Sequence, residues 1–103
     1  MEPRSGWTFL SNHAHVLIAL AKNPDMRIRD LADAVGITER AVAQILTDLQ
    51  DAGVLQRRRD GRRNVYSVDR DAPLRHKVEA HRTVGDILRL AEPAEKQQHR
   101  RMA

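Results

Sequence analysis

The sequence predicts a small α+β domain, mainly helical, built from three helices, a β-hairpin and a closing C-terminal helix. Three observations predict it. Apolar residues recur at helical spacing in three stretches of the first half, each bounded by capping residues, glycine or proline. A β-branched and aromatic pattern then brackets Asp60-Gly61, a dipeptide suited to a two-residue hairpin turn. Finally, 103 residues at 41% hydrophobic content can bury one core and not two. With one Trp, one Phe and one Tyr in the chain, that core is expected to be aliphatic.

The first helix lies in "SNHAHVLIALAKNPD", where Ser11 and Asn12 are good caps and Asn23-Pro24 forces an end. Its inward face is expected to be Ala14, Leu17, Ile18 and Ala21. The second, in "MRIRDLADAVGIT", places Ile28, Leu31, Ala32 and Val35 on one face and stops at Gly36, a residue that readily turns left-handed. Thr38 caps the third, "TERAVAQILTDLQDAG", with Glu39 in the first turn where the helix dipole favours an anion. Val42, Ile45, Leu46 and Leu49 form its inward stripe, and Gly53 closes it. Two short amphipathic helices joined by a turn around a glycine make a helix-turn-helix.

After Gly53, Val54-Leu55 and Val65, Tyr66 and Val68 supply the two hairpin strands. The closing helix is expected over about residues 72–91, with Asp71 near its cap, Pro73 in its first turn and Pro93 beyond its end. Its stripe of Leu74, Val78, Val84, Ile87, Leu88 and Ala91 is interrupted by His81 and Gly85. Residues 92–103 have little to bury and are expected to form a flexible tail behind a domain of residues 1–91.

Charge is distributed unevenly. Residues 1–53 hold five Lys/Arg against seven Asp/Glu, while residues 54–70 hold six against two and residues 71–103 seven against five. "RRRDGRR" puts five arginines within seven residues of the hairpin. Such a projection self-repels and adds nothing to a core, so it calls for a partner of dense negative charge. The absence of cysteine excludes disulfides, thiolate metal sites and cysteine nucleophiles, and suits a reducing compartment. With neither a membrane-length apolar run nor a secretion signal, the expected location is cytoplasmic.

The segment "IRDLADAVGITERAVAQILTDLQDAGVLQRRRDGRRNVYSV", residues 28–68, resembles the winged helix-turn-helix transcriptional regulators of the MarR and ArsR kind. It has their scaffold helix, recognition helix, "L-x-x-x-G-x-L" exit and arginine-rich wing, and the likeness runs from about Trp7 to Leu90. The resemblance implies sequence-specific binding of double-stranded DNA by a homodimeric repressor. Recognition helix 38–52 would enter the major groove and wing 57–64 would meet the backbone or minor groove.

The residue chemistry agrees with that implication. The outward face of the third helix presents Arg40, Ala43, Gln44, Thr47 and Asp51, with Thr38 and Glu39 at its tip. Arg40 can fork onto guanine, Gln44 can pair with adenine, and Thr47 suits a base or a phosphate. The expected base readers are Thr38, Glu39, Arg40, Gln44 and Thr47. The expected wing contacts are Arg57, Arg58, Arg59, Arg62, Arg63 and Asn64. Asp48 and Asp51 would repel phosphates and are expected to turn aside or toward a basic neighbour. The expected dimer surface is Trp7, Phe9, Leu10, Leu74, Val78, His81, Val84, Ile87 and Leu88.

Other chemistry finds little support. His13, His15, His76, His81 and His99 show no metal-ligand spacing, since His76 and His81 are five apart where one helical face needs three or four. No metal or other cofactor is expected. No nucleophile triad, phosphate loop or paired-carboxylate motif is present, so the chain is not expected to be an enzyme. The chain is also short beside MarR members whose longer flanking helices enclose a small-molecule pocket, which leaves an effector without an obvious place. The competing readings are a winged-helix interaction module for an acidic protein, and a non-specific nucleic-acid binder.

Overall fold

Ser11 opens the first helix, α1 (Asn12–Lys22), by accepting the backbone N–H of Ala14 on its hydroxyl. The computed structural model describes residues 6–93. Asn23 ends α1, donating its N–H to the Ala19 carbonyl at 3.0 Å just before Pro24. Helix α2 (Ile28–Val35) stops at Gly36, whose φ of +83° is costly for any residue with a Cβ. Thr38 then caps α3 (Glu39–Asp51) as expected, its Oγ1 accepting the Ala41 N–H at 3.0 Å. The exit from α3 is a Schellman turn: Val54 N–H bonds Leu49 O and Gly53 N–H bonds Gln50 O, each at 3.0 Å, with Gly53 at φ +78°.

Strands β1 (Leu55–Asp60) and β2 (Arg63–Val68) pair antiparallel, from Leu55 opposite Val68 to Asp60 opposite Arg63. The turn is therefore Gly61-Arg62, one residue later than Asp60-Gly61. Asp60 joins the ladder with the oppositely charged Arg63 across from it, and Gly61 takes the left-handed position at φ +63°. The hairpin is tied to the α1–α2 loop, since Tyr66 donates its N–H to Pro24 O at 2.9 Å.

The C-terminal region departs from expectation. Helix α4 covers only Val84–Leu90, and residues 72–83 are not helical. Pro73, expected in a first helical turn, instead bridges Thr83 in extended pairing. Leu74 N–H bonds Arg82 O at 2.9 Å, Val84 N–H bonds Ala72 O at 2.8 Å and Gly85 N–H bonds Arg70 O at 2.8 Å. The chain thus doubles back on itself, which a helix through Pro73 would forbid. The true helix start is Thr83, whose N–H is accepted by the Asp86 carboxylate at 2.9 Å, the acidic half of a capping box. Gly85 allows a close approach here, since a Cβ would lie 3.0 Å from Arg70 O and 3.3 Å from Arg70 Cβ, tighter than ordinary packing.

The core joins Val16, Leu17 and Leu20 of α1, Leu31 and Ala32 of α2, and Val42, Ile45, Leu46 and Leu49 of α3. Val54, Leu55, Tyr66, Val84 and Leu88 close it. It is aliphatic apart from Tyr66. The α1 face is rotated from the expected stripe, with Val16 and Leu20 buried, Ile18 half-buried and Ala21 exposed. Burying Val and Leu instead of Ala removes more apolar area from water. The expected tail begins at Glu92, which pairs with Arg70 at 3.0 Å, and runs from residue 94 outside the described residues.

Candidate nucleic-acid interface

Helix α3 is divided lengthwise. Val42, Ile45, Leu46 and Leu49 are buried, whereas Thr38, Glu39, Arg40, Ala43, Gln44, Thr47 and Asp51 are exposed. The inward stripe anchors the helix against α1 and α2, so the polar face is held on a rigid element. Thr38 uses one lone pair of its hydroxyl for the cap and keeps its proton available. Arg40, Glu39 and Thr47 make no side-chain hydrogen bond among the described residues.

Gln44 is held in place. Its Nε2 donates to Asp48 Oδ1 at 3.0 Å, and Asp48 Oδ2 receives His13 Nε2 from α1 at 2.8 Å. Asp48 thus turns toward a basic neighbour, as its position on this face led one to expect. The His13 hydrogen bond, followed by that of Gln44, holds the Asp48 carboxyl below the usual carboxylate range. An ionised carboxylate only accepts, so His13 carries its proton on Nε2 and Gln44 faces Asp48 with its amino group. The Gln44–Asp48 spacing of four is legible in sequence; the His13 contact spans 35 positions and is not.

The wing arginines are not equivalent. Register puts Arg57 and Arg59 on the sheet face shared with Tyr66 and Asn64, and Arg58 and Arg63 on the opposite face. Arg59 Nε reaches only the carbonyl of Gly61 at 3.5 Å. Arg57, Arg58 and Arg62 have no ion-pair or hydrogen-bond partner among the described residues. Arg63 differs: its guanidinium donates to Asp25 O at 2.9 Å and lies 3.4 Å from Asp25 Oδ2. It anchors the wing to the α1–α2 loop, a role that sequence reasoning missed. Asn64 is half-buried and its Oδ1 is buried without a hydrogen-bond partner among the described residues.

The expected dimer residues are scattered over different environments. Val84 and Leu88 are 3% exposed and belong to the domain's own core, while Leu74 and Ile87 are half-buried. Trp7, Phe9 and Val78 are exposed at 77%, 91% and 71%, with the Trp7 and Phe9 rings stacked edge to face at 4.8 Å. His81 is exposed and Leu10 half-buried. A cleft of about 520 Å³ runs between Phe9, Leu10, Leu17 and the Pro73–His76 segment, with His13 on its wall.

His15 Nδ1 contacts Asn12, and His76 Nδ1 accepts the Val78 N–H at 3.1 Å. His99 lies outside the described residues. Among the described residues no three His, Asp or Glu side chains converge as metal ligands, and no helix is long and apolar enough to cross a membrane.

The family model described as "MarR family" matches residues 7–63. The chain is similar to the PcaV transcriptional regulator from Streptomyces coelicolor in complex with its natural ligand, at 23% identity and a TM-score of 0.53, over 85% of this chain and 66% of that one. It is similar to Lactococcus lactis ZitR, wild type in complex with DNA, at 22% identity and a TM-score of 0.51, over 67% of this chain and 49% of that one. A further PcaV structure matches at 29% identity with a TM-score of 0.49, over 57% of this chain and 46% of that one. The chain thus spans about half the length of most of these solved relatives. No curated protein matches it. Among the described residues, four helices and a two-stranded hairpin in this order are the winged helix-turn-helix fold of these regulators.

Proposed function

Because the chain belongs to the MarR family, we propose that it is a sequence-specific double-stranded DNA-binding protein acting as a homodimeric transcriptional repressor. The observation that carries this reading is the division of α3 into a fully buried apolar stripe and an exposed face of Arg40, Gln44 and Thr47. A helix so presented fits the major groove, and its side chains match base edges in donor and acceptor pattern. Thr38 and Glu39 extend the reading at the helix tip. Arg57, Arg58, Arg59 and Arg62 neutralise phosphates beside it, while Arg63 and Asn64 sit at the wing's attachment.

One recognition helix covers too few base pairs for useful specificity, so two copies read half-sites about 34 Å apart. The exposed apolar residues Trp7, Phe9 and Val78 are the surface offered to the second copy. The test is titration of the full chain with duplexes selected from a random pool, in the presence of scrambled competitor. Retention of the selected duplexes against excess competitor supports sequence-specific binding, and lowered transcription from a promoter carrying the selected sequence supports repression. Equal competition by scrambled duplex or by single strands would show a non-specific binder instead.

A further inference from the structure

A carboxylate on a helix surface meant for a polyanion weakens binding by repulsion, so Asp48 calls for a reason. Its two oxygens are both engaged: Oδ2 accepts from His13 Nε2 at 2.8 Å, and Oδ1 accepts from Gln44 Nε2 at 3.0 Å. His13 stands on α1, which is locked to α3 by the shared core, so the carboxylate is fixed from outside its own helix. An exposed glutamine left to itself samples many rotamers and presents either end of its amide. Here the amino end is committed, which leaves Oε1 and the second N–H for a ligand.

We propose that Asp48 is a positioning residue for base reading: held by His13, it fixes the Gln44 amide so that Oε1 accepts from an exocyclic amino group, that of adenine or cytosine. The remaining Gln44 N–H can then donate to adenine N7, which favours adenine over cytosine. The inference rests on the reading of α3 as the base-reading helix. Asp48 exchanges some general affinity for discrimination at one base pair, through preorganisation of a side chain it touches. His13 acts one step further back, by holding Asp48.

The test is selection of duplexes from a random pool by the full-length chain, its Gln44→Ala, Asp48→Ala, Asp48→Asn and His13→Ala variants, each with its melting profile recorded. Gln44→Ala should abolish the preference at one position per half-site. Asp48→Ala should weaken that same preference roughly five- to tenfold, leave the other positions unchanged and raise binding to scrambled duplex. Asp48→Asn, whose side-chain carbonyl still accepts from Gln44, should restore most of the preference, and His13→Ala should fall between. An Asp48→Ala variant with the parent's preference at the Gln44 position, or with all positions relaxed alike, overturns the inference. A parent chain that enriches no sequence overturns the base-reading assignment itself.

Discussion

Thr38 shows how much one side chain contributes. Its hydroxyl accepts the Ala41 N–H and starts α3, so Thr38→Ala should cost about 1 kcal/mol of stability, measured by urea unfolding. Gly85 carries a different constraint, because a methyl there meets the Arg70 backbone oxygen at 3.0 Å. That oxygen is bonded to the Gly85 N–H and cannot retreat freely, so Gly85→Ala should destabilise by roughly 1–3 kcal/mol despite adding helix propensity. The two lowered carboxyls give a pH signature. The Thr83 N–H, then Arg89, hold the Asp86 carboxyl below its ordinary range, as His13 and Gln44 do for Asp48. Each contributes stability that is fully present above about pH 4 and is lost as pH falls through its folded value. The melting temperature of Asp86→Asn should therefore lie below the parent's at neutral pH and approach it as the pH falls below the ordinary carboxylate range; a gap of constant size as the pH is lowered would contradict the assignment.

Among the elements, the wing separates two kinds of arginine. Arg62 stands at the turn without a partner among the described residues, whereas Arg63 binds the Asp25 carbonyl and carboxylate. Arg62→Ala should weaken all duplexes about equally and leave melting unchanged, while Arg63→Ala should also lower the melting temperature by loosening the wing from the α1–α2 loop. Thermal unfolding beside DNA titration separates them. The helices of the first half were legible because Ser11, Gly36, Thr38 and Gly53 mark their ends and the apolar spacing marks their faces. The C-terminal region was misread because Leu74, Val78, Val84 and Ile87 fall at nearly helical intervals. Thr83-x-x-Asp86 was the available signal for the later start, but Pro73 pairing with Thr83 depends on tertiary contacts that spacing does not encode. At the candidate site the exposed face of α3 was readable from its buried face, while the His13–Asp48 and Arg63–Asp25 contacts join residues distant in sequence and were not.

For the whole molecule, the proposed function assigns the apolar surface at Trp7 and Phe9 to a second copy and the basic wing to DNA. Trp7 is the only tryptophan, so its fluorescence should shift to shorter wavelength as protein concentration rises through dimer formation. An emission maximum independent of concentration, in a chain that sedimentation shows to be monomeric, would remove the proposed dimer surface. The central claim is that α3 and the wing engage duplex DNA together. Its most direct measurement is the affinity of the full chain for a selected duplex across a range of salt concentrations. With about three phosphate contacts per subunit in a dimer, log affinity should fall against log salt with a slope near −5. A slope near zero, or no binding even at low ionic strength, would contradict it.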